Sequence, residues 1–206
     1  MPAIIGRKVG MTQIFAEDGR RVTVTVIEAG PCPVTQVKTP ENDGYSAVQL
    51  AFGATSPKHL SKPEIGHLQK SGAAPHKHLA EFSPDELGHD VAVGDVVTVD
   101  SFSSGQRVRI TGTSKGKGYQ GTIKRHNFKR GPKSHGSHNI RQPGSIGAAA
   151  YPARVMKGVR MSGRMGGDTV TQQGLQIVDR DPERNLLLVQ GSVPGGVNGI
   201  VIVRPA

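Results

Sequence analysis

The sequence predicts a mainly β protein whose strands are interrupted by one long basic loop. Three observations support this: short segments of alternating apolar and polar residues, a stretch without acids at residues 101–167, and the return of strand-like segments after it. Short strands separated by turn signals are typical of a closed barrel or a sandwich. At 206 residues the chain is long enough to bury a hydrophobic core, as one domain or two small ones.

The strand predictions rest on period-two alternation, which is clearest in Arg21–Glu28 (RVTVTVIE). The same pattern predicts further strands over Pro33–Lys38, Tyr45–Phe52, Asp95–Asp100, Arg107–Thr111, Thr169–Asp179, Asn185–Gln190 and Gly199–Arg204. Lys62–Ser71 is the best helix candidate, because a proline lies near its start and Gly72 follows it. It belongs to a predicted insertion, and a short helix is also expected near Gln120–Asn127.

The net charge of +10 comes from one part of the chain. Residues 1–100 carry a net charge of −3 and residues 168–206 carry −1, whereas residues 101–167 hold 14 Lys or Arg and no acid. A solvated surface normally mixes both signs, so a block of one sign predicts a polyanionic partner. Because strands resume at Thr169, residues 112–167 are expected to leave the body and return as a functional loop.

The glycines at positions 116, 118 and 121 fit the G-x-G-x-x-G pattern of a dinucleotide site. That site needs an acid about 20 residues later, and the next acid is Asp168. A phosphate-binding loop of the nucleotide-hydrolysing type is also excluded, since its glycine spacing is one residue short and Gly118 replaces the metal-binding hydroxyl. These glycines instead favour close approach of backbone amides to phosphates.

Catalytic, metal and membrane functions have little support. His135 and His138 lie three residues apart, but no Cys, Asp or Glu lies within 25 residues to complete a metal site. The body shows no catalytic constellation, and we predict no cofactor and no small-molecule substrate. The single cysteine, Cys32, lies between two prolines and is predicted to be a buried bystander in a reducing cytoplasm. No apolar run reaches about 18 residues and no signal peptide is evident, so no membrane contact is expected.

Aromatic residues are scarce in the basic segment, which contains only Tyr119, Phe128 and Tyr151. Stacking on the bases of single strands is therefore not expected to be the main mode of binding. The expected mode is recognition of the shape and backbone of structured RNA.

Ordered motifs along the chain resemble the bacterial ribosomal protein L3 family, the third protein of the large subunit. Ile5–Phe15 resembles the opening motif of that family, and Gly112–Gly121 with Lys124-Arg125 and Asn127-Phe128 resembles its central signature. The further motifs are Ser134-His135-Gly136, Pro143–Gly147, Pro152-Ala153-Arg154, Lys157-Gly158, Met161–Gly166, Asn185–Gly191 and Val193–Gly195. The resemblance covers nearly the whole chain.

The resemblance implies a six-stranded barrel of the translation-protein type, with a small helical insertion and a long basic loop extension. The barrel body would comprise residues 1–56, 91–111 and 168–206, the α-containing insertion residues 57–90, and the rRNA-threading extension residues 112–167. The implied function is that of a structural, non-enzymatic constituent of the cytoplasmic large ribosomal subunit. Such a protein binds large-subunit rRNA early in assembly, stabilises its tertiary structure and contacts neighbouring large-subunit proteins.

The resemblance and the charge pattern together assign the candidate site residues, none of them catalytic or metal-binding. The candidate rRNA-binding residues are Lys115, Lys117, Lys124, Arg125, Lys129, Arg130, Lys133, His135, His138, Arg141, Arg154, Lys157, Arg160 and Arg164. The tip of the extension, about Arg141–Tyr151, is expected to approach the peptidyl-transferase centre without doing chemistry there. The residues assigned to it are Gln142, Pro143, Gly144, Ser145, Ile146, Gly147 and Ala148.

Two positions depart from the family pattern. Ala148 stands where some relatives carry a glutamine that a methyltransferase modifies, so that modification is expected to be absent. Arg109 stands where the family usually has Asp or Asn, so a local turn or salt bridge is expected to differ.

Two other hypotheses remain open at this level. The charge block alone also allows a free RNA or DNA chaperone or a nucleoid-type binder. His135 and His138 leave open an enzyme acting on nucleic acid, which an unchanged RNA-processing rate after His135→Ala and His138→Ala would dispose of.

We expect the basic segment, residues 112–167, to be protease-sensitive in the free protein and protected once bound to rRNA, because a polyanion neutralises its self-repulsion. Limited proteolysis with and without rRNA measures this, with cleavage in the body as the internal control. Equal cleavage of the segment in both states would contradict the prediction.

Overall fold

The computed structural model describes residues 3–16, 18–87 and 91–206. It divides into two compact units, which we call the body (Met1–Ser114 with Thr169–Ala206) and the basic unit (Lys115–Asp168). The three-part organisation expected from the sequence stays a prediction, and the predicted end of the insertion, at residue 90, lies outside the described residues.

The described elements of the body are mostly short strands. In chain order they are β1 Ile4–Phe15, β2 Arg21–Ala29, β3 Cys32–Lys38, α1 Pro40–Asp43, β4 Ala47–Ala54, α2 Lys62–Lys70, β5 His76–Phe82, α3 Pro84–Leu87, β6 Val96–Val97 and β7 Arg107–Thr113. After the basic unit come β10 Thr169–Asp181, β11 Leu186–Gln190 and β12 Ile200–Pro205. The basic unit contains β8 Tyr119–Gln120, α4 Thr122–His126 and β9 Gly163–Arg164.

Six strands of the body form a closed barrel in the order β1-β12-β7-β10-β11-β2, and β2 pairs back onto β1. Every neighbouring pair in this ring is antiparallel. Closure removes the free strand edges that an open sheet exposes. A second sheet has the order β5-β4-β3-β6. The prediction of a mainly β fold is therefore confirmed.

The core is built from the inward-facing residues of both sheets. Barrel residues such as Ile110, Ile177 and Leu187 are fully buried, and Leu50 and Phe82 of the second sheet belong to the same apolar cluster. Burial of aliphatic and aromatic side chains is the main favourable term in folding. The β-branched alternation seen in the sequence thus marks the residues that hold the two sheets together.

Most strands predicted from alternation are present, whereas the prediction for Asp95–Asp100 is wrong over most of its length. Only Val96–Val97 is a strand there, because a 3-10 turn at Val99–Ser101 follows it. The strand β5 lies within the insertion predicted as helical, and it pairs with β4. The predicted helix of that insertion is confirmed as α2, whose Ser61 and Glu64 form a capping box.

Arg109 joins two parts of the body through one carboxylate. Its Nη2 lies 2.7 Å from Oε1 of Glu86, and Nε of Arg204 lies 3.3 Å from Oε2 of the same residue. The Arg204 guanidinium also lies 5.2 Å from the ring centroid of Phe82. Barrel strands β7 and β12 are thereby tied to α3, where Glu86 resides. Arg109 therefore takes part in a salt bridge, and the expected difference from the family at this position stays a prediction.

Cys32 is buried, as predicted. Its thiol donates a hydrogen bond to the Ile5 carbonyl at 3.4 Å. Burial raises the pKa of the Cys32 thiol from 9.0 to about 12. The thiolate required for nucleophilic attack is accordingly disfavoured in the folded body.

The shifted pKa of Cys32 predicts that the body loses stability at alkaline pH. The unfolded thiol releases its proton near pH 9.0 and the buried thiol near pH 12. The protonated Cys32 thiol therefore makes its full contribution to the free energy of unfolding below pH 9.0. That free energy declines as the pH rises further, by at most about 1.4 kcal/mol per pH unit. Denaturant unfolding between pH 8 and 11 measures this, with Cys32→Ala as control. Identical pH profiles for the two proteins would refute it.

Candidate nucleic-acid interface

The basic unit presents nearly all of its predicted binding residues to solvent. Thirteen of the 14 candidate rRNA-binding side chains are exposed, and Arg125 is half-buried. Because residues 101–167 contain no acid, none of these cations can form an ion pair within that segment. The exposed candidates are Lys115, Lys117, Lys124, Lys129, Arg130, Lys133, His135, His138, Arg141, Arg154, Lys157, Arg160 and Arg164.

A two-stranded ladder joins the first and last parts of the basic unit. In it Tyr119 pairs with Arg164 and Gln120 pairs with Gly163. The Lys117 amide donates to the Met165 carbonyl at 2.8 Å, and the Met165 amide donates to the Gly118 carbonyl at 3.0 Å. Uncharged backbone groups thus hold together a segment whose side chains repel one another.

The ladder requires a glycine at position 166. A Cβ at Gly166 would lie 2.1 Å from the Lys115 carbonyl oxygen, and the backbone there has φ +72°. Both the close approach and the left-handed conformation exclude other residues without rearrangement. The glycine-rich character read in the sequence therefore serves backbone packing here.

Helix α4 follows the ladder and is held against the returning chain. Asn127, the C-cap residue of α4, is left-handed, with φ 59°, and its amide donates to the Thr122 carbonyl. Arg125 donates from Nη1 to the Met161 carbonyl at 2.8 Å, and His126 Nε2 lies 3.0 Å from the same oxygen. Part of the Arg125 guanidinium is therefore engaged in holding the unit together. The short helix predicted near residues 120–127 is confirmed.

A second close approach of the backbone forms a loop that contains several candidate residues. The Gly131 amide donates to the Ile140 carbonyl at 3.0 Å, and a Cβ at Gly131 would lie 2.3 Å from the Asn139 carbonyl oxygen. Between these positions lie Lys133, His135 and His138, all exposed. The described residues contain no group of three His, Cys, Asp or Glu side chains placed to hold a metal ion.

The predicted tip residues, 142–148, are exposed throughout. Within them the Ser145 hydroxyl donates to the Gly147 carbonyl at 3.0 Å.

Two tyrosines that we did not select as site residues are also exposed, Tyr119 by 80% and Tyr151 by 88%. For Tyr119 the signal that could have identified it is an isolated aromatic among glycines and lysines, where no core is available to bury it. None of the described helices is long and apolar enough to cross a membrane.

Comparisons with known proteins agree on one family. Residues 79–185 match the family model for Ribosomal protein L3. The large ribosomal subunit protein uL3 of Thermosynechococcus vestitus is 53% identical over 98% of this chain and 95% of its own length. The proteins of the same name from Syntrophobacter fumaroxidans and Acidothermus cellulolyticus are 54% and 53% identical, over 98% of this chain and 96% and 91% of their lengths.

Replacing Gly166 by alanine is expected to open the ladder of the basic unit. Gly167 is the matched control, because its φ of +76° is similar and a Cβ there meets nothing within 4 Å. Overpacking costs about 1–3 kcal/mol, so amide hydrogen exchange at Lys117 and Met165 should be about fivefold faster or more in Gly166→Ala than in Gly167→Ala. Equal exchange rates in the two variants would contradict the role assigned to the close approach.

Proposed function

The chain belongs to the ribosomal protein L3 family, and from this premise we propose that it binds large-subunit rRNA through its basic unit and stabilises the folded RNA. It is a structural constituent of the large ribosomal subunit in the cytoplasm and not an enzyme, as the family is. The observation that supports the proposal best is the solvent exposure of 11 candidate Lys and Arg side chains in a segment without acids.

Charge neutralisation supplies the affinity in this proposal. Each phosphate that a Lys or Arg neutralises releases counterions, which lowers log K by roughly 0.7–0.9 per tenfold increase in salt. Residues 115–167 contain 12 Lys or Arg, so a strong salt dependence is expected. Structured RNA fits better than an extended strand, because aromatic residues for stacking on successive bases are scarce in the basic unit.

The uncharged backbone contacts determine where these cations lie. The ladder at Tyr119–Gln120 and Gly163–Arg164, together with the close approach of Gly131 to Ile140, divides the segment into shorter loops. Shorter loops have less conformational freedom to lose when RNA binds. The contacts therefore favour recognition of a particular RNA shape over unspecific attraction.

The proposal extends to the finer features implied by the family. The six-stranded barrel of the body is of the translation-protein type, with its strands drawn mainly from the segments predicted for it, residues 1–56, 91–111 and 168–206, and the inserted subdomain is the one predicted at residues 57–90. The extension, residues 112–167, threads into rRNA early in assembly, and its tip at about 141–151 reaches towards the peptidyl-transferase centre. Exposed apolar side chains of the body, including Met11 and Phe15, support contact with neighbouring large-subunit proteins.

A free RNA or DNA chaperone is the alternative that the charge block allows. Salt dependence does not separate the two functions, because both neutralise phosphates. Sedimentation of cell extracts does: a ribosomal constituent co-migrates with large subunits even after a high-salt wash. A mainly free pool would contradict the proposed function.

Charge reversal in the basic unit is expected to impair rRNA binding more than charge reversal in the body. Arg141 and Arg154 are exposed in the basic unit, and Arg20 is an exposed arginine of the body. Arg141→Glu or Arg154→Glu should lower affinity for a large-subunit rRNA transcript by on the order of tenfold, with a smaller salt slope. Filter binding and incorporation into large subunits measure this. Comparable losses in Arg20→Glu would count against the basic unit as the main contact.

A further inference from the structure

The ladder of the basic unit has two faces that differ in what covers them. Residues paired across an antiparallel ladder share a face, and successive residues along a strand point to opposite faces. Tyr119 and Arg164 therefore project from one face, and Gln120 and Gly163 belong to the other.

The face of Gln120 and Gly163 is occupied by the unit itself. A Cβ at Gly163 would lie 2.7 Å from Nη1 of Arg125, so the guanidinium fills the space where another residue would have a side chain. The Gln120 side chain turns back to donate from Nε2 to the Lys117 carbonyl at 2.5 Å. This face supports the ladder.

The face of Tyr119 and Arg164 is open. Tyr119 is 80% exposed, and Arg164 is also exposed. The cation–π contacts found among the described residues involve Tyr45 and Phe82 rather than Tyr119. Folding gains little from a ring left in water, whereas an uncovered ring beside a guanidinium offers a stacking surface and a phosphate-binding group together.

We propose that Tyr119 and Arg164 form a nucleotide-binding pair, in which one unpaired base of the rRNA stacks on the Tyr119 ring and an adjacent phosphate binds the Arg164 guanidinium. This inference rests on the proposed function and specifies one contact within it. Side chains directly opposite in an antiparallel ladder have Cβ atoms about 4.5–5.5 Å apart. This spacing suits a base and an adjacent phosphate of the same RNA strand.

The chemistry of the pair explains why both members are needed. Arginine binds phosphate through two parallel N–H groups, but this contact does not distinguish a paired from an unpaired nucleotide. An aromatic ring can stack only on a base whose face is free, as in loops and bulges. The pair therefore selects an unstacked nucleotide within an otherwise structured RNA, and the ladder holds the two side chains in register.

The first test measures binding of the full chain to a large-subunit rRNA transcript over a range of salt concentrations. Tyr119→Leu should bind about tenfold more weakly with an unchanged salt slope, and Tyr119→Phe should bind like the unmodified protein. Arg164→Gln should lower the salt slope by about 0.7–0.9, the value for one phosphate. Tyr45→Leu, which removes a partly exposed tyrosine of the body, is the control and should leave binding unchanged.

The second test is ultraviolet cross-linking of assembled large subunits followed by mass spectrometry. We expect a nucleotide to be cross-linked to Tyr119. A cross-link from Tyr119 to a neighbouring protein instead of to a nucleotide would overturn the proposal. Unchanged RNA affinity in Tyr119→Leu would also overturn the proposal. A loss of affinity with a lower salt slope would overturn it as well, because a lower slope means that phosphate contacts were lost and the ladder was disturbed. If Arg141→Glu and Arg154→Glu still weaken binding in those cases, the proposed function stands; if they also have no effect, the proposed function fails.

Discussion

Electrostatic repulsion among the cations of residues 115–167 opposes close packing of the charged side chains in that segment. With no acid in the segment, bringing its side chains together concentrates positive charge without compensation. Backbone hydrogen bonds do not carry this penalty, and the contacts at Lys117–Met165 and Gly131–Ile140 are of this kind. Glycine allows them, since a Cβ at Gly166 or Gly131 would collide with a carbonyl oxygen. The scaffold of the basic unit is therefore neutral, and its charge remains available to a partner.

Two neighbouring barrel strands, β7 and β10, flank this segment in the chain. Thr113 at the end of β7 pairs with Thr169 at the start of β10, so the chain enters and leaves the basic unit at neighbouring positions of one sheet. Closure of the barrel leaves these strands paired on both sides. The body also contains compensated charge, such as Arg7 with Glu28 and Lys38 with Glu81. Charges that contribute to folding and charges that are free to bind are thus separated along the chain.

The parts of the fold that followed from the sequence are those determined by local pattern. The β-branched alternation of β2 and β7 and the proline and glycine that bound α2 are local signals, and all three elements were predicted. Strand β5 was missed because its sequence, HKHLAEF, contains polar residues that are tolerated at an edge where only one side is paired. The ladder of the basic unit was missed because it joins two-residue strands about 44 positions apart. No local pattern encodes such a contact.

The same distinction applies to the candidate site. The charge pattern identified the cations, but it could not identify which of them the unit uses internally, as Arg125 is used against Met161. Nor could it show that Tyr119 lies opposite Arg164, because that depends on register. Since residues 115–167 hold no acid to neutralise their cations, the proposed binding of rRNA would supply most of the favourable electrostatic energy. By linkage, bound RNA should then stabilise the basic unit more than the body, and the geometry of the neutral contacts determines which RNA shape receives that stabilisation.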